Sequence, residues 1–334
     1  MFFAYLARAR FPVRHAAERA RLYAQRAVRG VSQAPLSLGL FGGIAGIGWM
    51  LQHLRGTELP RRDPCAELDA GLRAAIARGA LDAELDLVTG LCGVGIYALA
   101  RRDRALAAAV IARLRARGTA PGGAPGEAID LGTAHGLAGL VAMLGQAGAA
   151  RIPGATTLSR SALRALLGHA RWDQPSVFPD TAAVGDTAPR DCRLAWCYGD
   201  IGAACALRTV ADATGHAGLR ATATRVALRA AARPPASSGV IDCGVCHGAA
   251  GVALGLQRMF VATGDAALGD AARGWLGRAL DHGIPDSLRD GTDDAGGRGL
   301  LGGAGLGLAY LAATTALWPR WASALAIVPA VRRR

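Results

Sequence analysis

Lysine is absent from this chain: all 38 basic residues are arginine, set against 25 acidic ones for a formal charge of +13 over 334 residues. A bias that complete belongs to the whole composition, so the charge alone does not argue for a nucleic-acid partner. No recognition-helix or single-strand-binding motif accompanies it, and nucleic acid is excluded as the expected ligand. The arginines are densest at the ends. Residues 1–33 hold seven against one acid, Glu18, and Arg332 to Arg334 add three more. Contact of those ends with an acidic peptide partner, a membrane surface or a transporter stays open.

Other absences narrow the class further. The N-terminal residues show no basic n-region, apolar stretch and small-residue cleavage site of a secretory signal. Seven cysteines, an odd number, do not suggest a disulfide framework, and together these features lead us to expect a reducing, cytoplasmic setting. The longest uncharged run, Gly299 to Pro319, has the length of a membrane span but contains five glycines and ends in Trp318-Pro319. It reads as a buried core helix behind a glycine loop rather than an integral membrane segment. Charged residues are scarce at 19%, while half the residues are hydrophobic and 46 are glycine, a balance that suits close-packed helices and not a disordered chain.

The glycines are patterned. Gly-x-x-Gly recurs at Gly43, Gly90, Gly136, Gly199, Gly248 and Gly302, with first glycines 47, 46, 63, 49 and 54 residues apart. Each copy is followed by an apolar stretch and then by a polar, arginine-rich segment of helical periodicity. Six helical hairpins result, each pairing a helix apolar nearly all round with an amphipathic one. Two concentric layers, inner helices buried and outer ones facing water, satisfy that pairing, and a closed ring hides both end repeats. We therefore expect one all-α domain spanning residues 1–334, with glycine signatures opening the inner helices. The longest gap, Arg151 to Arg190, carries Pro153, Pro175, Pro179 and Pro189 and reads as a loop-rich excursion over one rim. Residues 1–33 read as a basic helix, about Arg14 to Arg29, packed on the outer layer through Ala17, Ala20, Ala24 and Ala27.

Chemistry-bearing residues cluster just ahead of the later signatures. Cys197, in Trp196-Cys197-Tyr198-Gly199-Asp200, and Cys246-His247, ahead of Gly248, offer two thiolates and an imidazole from equivalent rim positions of adjacent repeats. Such donors suit zinc, with a fourth position left over. Two other readings compete. Cys243-x-x-Cys246-His247 matches a c-type haem attachment pattern, and Cys192, Cys197, Cys243 and Cys246 could form a structural four-cysteine zinc site. The second reading leaves His247, Trp196 and Tyr198 without a role. Two thiolates and a neutral imidazole sum to zero charge with zinc, so a bound water is activated less than at an all-histidine site. That argues against a hydrolase and for activation of an incoming thiol.

Trp196-Cys197-Tyr198-Gly199, Cys246-His247-Gly248 and the six glycine signatures together resemble the lanthionine synthetase C-like proteins, the cyclases of lanthipeptide biosynthesis, over roughly Leu38 to Leu311. The resemblance implies an α/α toroid of six to seven hairpins with zinc at its mouth. It implies addition of a peptide cysteine thiol to dehydroalanine or dehydrobutyrine, giving a thioether ring. Carried over position by position, Cys197, Cys246 and His247 match the zinc ligands, and Arg193 matches a functionally important arginine. His135 of His135-Gly136 looks like the catalytic histidine, and Asp86, four residues before Gly90, like the active-site aspartate. Taken alone, His135 could be a structural partner of its turn and Asp86 a helix cap. Tyr198 is a candidate substrate contact, or a buried tyrosine with a satisfied hydroxyl. The implied partners are a dehydrated precursor peptide and the dehydratase that makes it. A relative adding glutathione to dehydroamino acids and a non-catalytic zinc-stabilised scaffold are the alternatives. The chain looks shorter than many such cyclases, and Cys192 and Cys243 fall outside the family's core pattern.

Overall fold

In the computed structural model, residues 1–33, 35–82, 84–117, 128–183, 191–283 and 303–327 are described. Among them the apolar stretches behind the glycine signatures form α3 (Ile44–Leu54), α5 (Leu91–Arg101), α7 (Leu137–Ala149), α9 (Asp200–Thr214), α11 (Ala249–Thr263) and α13 (Gly303–Thr314). These are the inner helices; in α7 every residue from Leu137 to Gly145 is buried. The arginine-rich segments form α2 (Ala16–Val31), α4 (Ala66–Ala77), α6 (Arg104–Ala116), α8 (Ala155–Gly168), α10 (Ala217–Ala232) and α12 (Ala266–Asp281). Each buries a single stripe. In α10 the stripe is Leu219, Ala223, Val226, Ala227 and Ala230, a helical spacing that leaves the other face to water.

Neighbouring inner helices pack in chain order, α3 on α5, then α7, α9, α11 and α13. A mid-helix glycine seats a side chain of the next helix at most of these seams: Gly48 receives Tyr97, Gly95 receives Met143 and Gly145 receives Val210. A Cβ at any of these would displace its guest, so the glycines set how closely the helices approach. A short helix the sequence did not announce, α1 (Phe2–Arg8), closes the ring. It packs on α13, where Gly307 seats Phe2, and its Tyr5 hydroxyl lies 3.0 Å from His53 Nε2 on α3. The result is the double-layered α/α toroid. Among the described residues no helix is long and apolar enough to cross a membrane.

Two details depart from expectation. The gap between the third and fourth signatures is not loop throughout, because Ala155–Gly168 forms the outer helix α8 packed on α7. The two short strands β1 (Ala128–Asp130) and β2 (Thr181–Ala183) then pair antiparallel, tying the excursion to the third rim loop. The C-terminal 3-10 turn Arg320–Leu325 reaches across the ring, touching α5 and Tyr5, and its Leu325 carbonyl accepts from Trp196 Nε1 at 2.8 Å.

Candidate active site at the mouth of the ring

The glycine signatures fix the rim. Ahead of each described inner helix from α3 to α11 except α9, the loop folds back so that carbonyls seven residues upstream accept the first-turn N–H groups. Ile44 N donates to Ser37 O at 2.9 Å, Leu91 N to Glu84 O at 2.9 Å and Ala249 N to Asp242 O at 2.8 Å. Those N–H groups have no partner inside their helix, so the loop supplies one. The second glycine of the first five signatures makes the fold-back feasible: a Cβ on Gly46, Gly93, Gly139, Gly202 or Gly251 would collide with the carbonyl six residues upstream. In the fourth loop Gly199 adopts φ +82°, which favours glycine.

Successive loops are then stitched together. From the second signature to the fifth, the carbonyl two residues before the signature accepts an N–H from the preceding loop: Phe41 N to Val88 O at 2.9 Å, Leu87 N to Ala134 O at 3.0 Å, Thr133 N to Cys197 O at 2.7 Å, and Cys197 N to Cys246 O at 3.1 Å. This ladder places the residues just before the first five signatures side by side around one mouth. Reading around it, the pairs are Phe41-Gly42, Val88-Thr89, Ala134-His135, Cys197-Tyr198 and Cys246-His247. Residues far apart in sequence become neighbours through backbone bonds alone.

The side chains follow that order. The Cys197 and Cys246 thiols hydrogen-bond each other, which pulls Cys197 below the ordinary thiol range, helped by the Arg193 charge, and pushes Cys246 up. His135, 48% exposed, has Nδ1 3.6 Å from Asp86 Oδ1. Asp86 is locked in turn, its Oδ1 accepting from Val88 N and Thr89 N at 2.6 and 2.7 Å and its Oδ2 from the Thr89 hydroxyl at 2.9 Å. It is thus a turn former that also faces an imidazole; the cap residue of α5 is Gly90. Tyr198 donates its hydroxyl to Asp130 Oδ2 at 2.8 Å, and burial together with that carboxylate raises its pKa. Arg193 is exposed, and Asp86 pairs with His135 rather than with this arginine.

Sequence reasoning passed over two carboxylates, Asp130 and Asp242. Each stands six residues before a signature glycine and accepts the N–H two residues on, Gly132 N at 2.7 Å and Gly244 N at 2.6 Å. Each turns its other oxygen to the residue preceding a signature, Asp130 to Tyr198 and Asp242 to His247 Nε2 at 3.5 Å. Their shared spacing was the available signal. Asp200, on the first turn of α9, is fully buried and accepts from Val177 N and Phe178 N, anchoring the excursion; burial raises its pKa to about 6. Cys192 and Cys243 are buried free thiols, both raised by burial, Cys192 to about 12.

As a donor set for a soft metal, two hydrogen-bonded thiols on adjoining loops fit, one of them drawn toward thiolate, and the adjacent imidazole of His247 is 46% exposed. That imidazole faces Asp242, and among the described residues no three His, Cys, Asp or Glu side chains stand close enough to hold an ion. Residues 1–322 match the family model described as lanthionine synthetase C-like protein. The chain belongs to that family. A solved structure of a nisin cyclase superposes with a TM-score of 0.77 at 18% identity, covering 98% of this lanthionine synthetase C-like chain and 89% of the other. No curated protein matches the chain.

Proposed function

We propose that this protein is a zinc-dependent cyclase that adds cysteine thiols of a dehydrated precursor peptide to dehydroalanine or dehydrobutyrine, forming thioether rings. Family membership and the likeness to a nisin cyclase support the reading. The observation that carries it is the juxtaposition of the Cys197 and Cys246 thiols with an exposed His135 on the adjoining loop. Cys197, Cys246 and, on turning from Asp242, His247 would hold zinc. Bound there, the metal would supply a Lewis acid that favours the thiolate form of an incoming cysteine.

The remaining work falls to the chain. Addition of sulfur to the β-carbon moves the alkene electrons toward the carbonyl, and the enolate must gain a proton at its α-carbon. Imidazole is the side chain chemically suited to giving or taking a proton near neutrality. His135 is the proton donor in this reading, with Asp86 orienting its ring through Nδ1. Arg193, whose charge acts on Cys197, stabilises the negative charge developing on the acceptor carbonyl in this reading. The thiol hydrogen is lost and the α-carbon hydrogen gained, so the peptide mass stays constant. A dehydratase must supply the substrate.

The test is zinc analysis joined to alkylation of a dehydrated, cysteine-bearing peptide followed by mass spectrometry. Wild type should protect the cysteine at constant mass. Cys197→Ala and His247→Ala should lose zinc and protection with little loss of helix. His135→Asn should keep zinc and slow protection by about 10²–10⁴-fold. Thiol loss requiring added glutathione would favour the small-thiol alternative. Unfolding on zinc removal with no thiol chemistry would favour the scaffold.

A further inference from the structure

Eight large hydrophobic side chains stand exposed among the described residues, and five of them, Phe11, Val13, Leu22, Tyr23 and Val28, fall within one short stretch ahead of and along α2. Arg10, Arg14, Arg19, Arg21, Arg26 and Arg29 occupy the same stretch, and none has an acidic ion-pair partner among the described residues. The one acid there, Glu18, lies 2.7 Å from His15 Nδ1. Elsewhere the fold pairs many of its arginines with acids: Arg8 with Glu58, Arg101 with Asp69, and Arg208, Arg220 and Arg258 with the shared Asp212. Cations and apolar groups left together at a surface need a partner that takes both.

The shape narrows the partner. Between α1 and α2 the chain bends through left-handed φ values at Arg10 and His15, 55° and 59°. The loop between them carries Phe11 and Val13, 43% and 37% exposed, on either side of Pro12, and Arg10 and Arg14 bracket this apolar tip. Along α2, Arg19, Leu22, Arg26 and Arg29 follow i, i+3, i+7, i+10 and share one face. It is the face opposite the buried Ala16, Ala20 and Ala24. Arg19 and Arg26 lie over the Phe3 and Tyr23 rings at 5.5 and 5.8 Å, which steadies exposed guanidiniums without neutralising them.

We propose that this face docks the protein reversibly on an anionic lipid bilayer. Phe11 and Val13 enter the headgroup boundary, and the α2 arginines lie against lipid phosphates. A bilayer suits the observations better than an acidic protein. The exposed apolar residues of the loop and of α2 are interleaved with arginines along the chain, Phe11 and Val13 between Arg10 and Arg14, and Leu22, Tyr23 and Val28 among Arg21, Arg26 and Arg29. Mobile headgroups adapt to that interleaving, and a short apolar tip plus several cations gives binding of the reversible kind.

The full chain should be sedimented with vesicles of phosphatidylcholine alone and of phosphatidylcholine mixed with phosphatidylglycerol. Binding is expected to the mixed vesicles, weakening as salt rises. Replacing Arg19, Arg26 and Arg29 by Ser should lower partitioning about a hundredfold, at roughly one kcal/mol per arginine. The exposed pair Phe11→Ser and Val13→Ser should lower it about tenfold. Near-ultraviolet circular dichroism checks that both variants remain folded. Equal binding to neutral vesicles, no binding, or indifference to either variant overturns the proposal. So does retention on poly-glutamate that survives the tip substitutions while vesicles fail to bind, which would mark the face as a site for an acidic protein.

Discussion

The inner and outer helices of the ring answer one requirement, first-turn N–H groups without partners, in opposite ways. Three outer helices use side chains: Asp103 accepts from Leu106 N at 2.9 Å, Asp265 from Ala267 N at 3.0 Å, and His216 Nδ1 from Leu219 N at 3.0 Å. The inner helices α3, α5, α7, α9 and α11 begin at glycine with no side-chain cap. Loop carbonyls reach the first turn instead in four of them, and in α9 the Gly199 geometry takes over the entry. A side-chain cap fixes three residues and nothing beyond them. A folded-back loop fixes a whole segment and presents the residues before the signature to the mouth. The device that starts the inner helices is therefore also what assembles the candidate site.

The most damaging way to probe that contrast is to add one methyl group. A Cβ on Gly251 would strike the Val245 carbonyl, and one on Gly46 the Leu40 carbonyl. We expect Gly251→Ala and Gly46→Ala each to cost about 4 kcal/mol in urea denaturation, from the clash and the loop bonds lost with it. The first loop carries no candidate chemistry and the fifth carries Cys246 and His247. The two variants should therefore lose stability alike, while Gly251→Ala alone impairs zinc retention in metal analysis. A cost below about 1 kcal/mol for Gly46→Ala would break the argument that the glycines serve the backbone.

What the sequence made legible follows from the same physics. The glycine requirement is local and repeats, so it shows as Gly-x-x-Gly, and with it come the two layers and the rim positions of Cys197, Cys246, His247 and His135. Asp86 was reachable only by its distance from Gly90. Where tertiary contacts decide, the reading stopped. The helix α1 has seven residues, too few for a period, and owes its place to α13 and His53. Helix α8 was hidden by the prolines around it. Asp130 and Asp242 were passed over, because their partners Tyr198 and His247 come from the spatial arrangement of the loops rather than from local pattern. Asp200 carried no assigned role in its motif, and its carboxylate accepts from Val177 N and Phe178 N, contacts that only the folded excursion brings to it.

The far ends of the inner helices offer a second, somewhat smaller test, read by pH. His53, near the end of α3, stacks on Trp49 at a centroid distance of 5.0 Å and meets the Tyr5 hydroxyl. Burial, with the Arg8 charge behind it, lowers its pKa to about 4. The unfolded chain takes up the proton near 6.5 and the folded chain near 4. The unfolded state therefore binds more protons in between, and stability is lost as pH falls through that window. The gap is worth about 3 kcal/mol at most. Asp200 acts in the reverse sense, since its raised pKa lets folding gain as pH falls from about 6 toward 4. Comparing wild type with His53→Gln isolates the first effect. The variant should hold about 3 kcal/mol more of its neutral-pH stability at pH 4, measured by denaturation at both values. Parallel pH profiles would show that the α1–α3 seam is wetter than its packing indicates.

The smallest effect belongs to the outer layer and sharpens the contrast most directly. Asp103 caps α6 and also takes the Arg73 guanidinium at 2.5 Å, a pair whose arginine side chain is 42% exposed. Asp103→Ala removes both contacts and should cost about 1 kcal/mol, the usual worth of a cap. Asp103→Asn keeps an acceptor for Leu106 N and gives up only the exposed pair, so it should cost a few tenths, because solvent screens that pair. Neither variant should alter zinc retention or peptide cyclisation, because the bond lies at an outer-helix start and fixes none of the rim loops. If Asp103→Ala instead rivalled Gly251→Ala, a local side-chain cap would be holding as much structure as a folded-back loop. The division of labour between the layers would then fail.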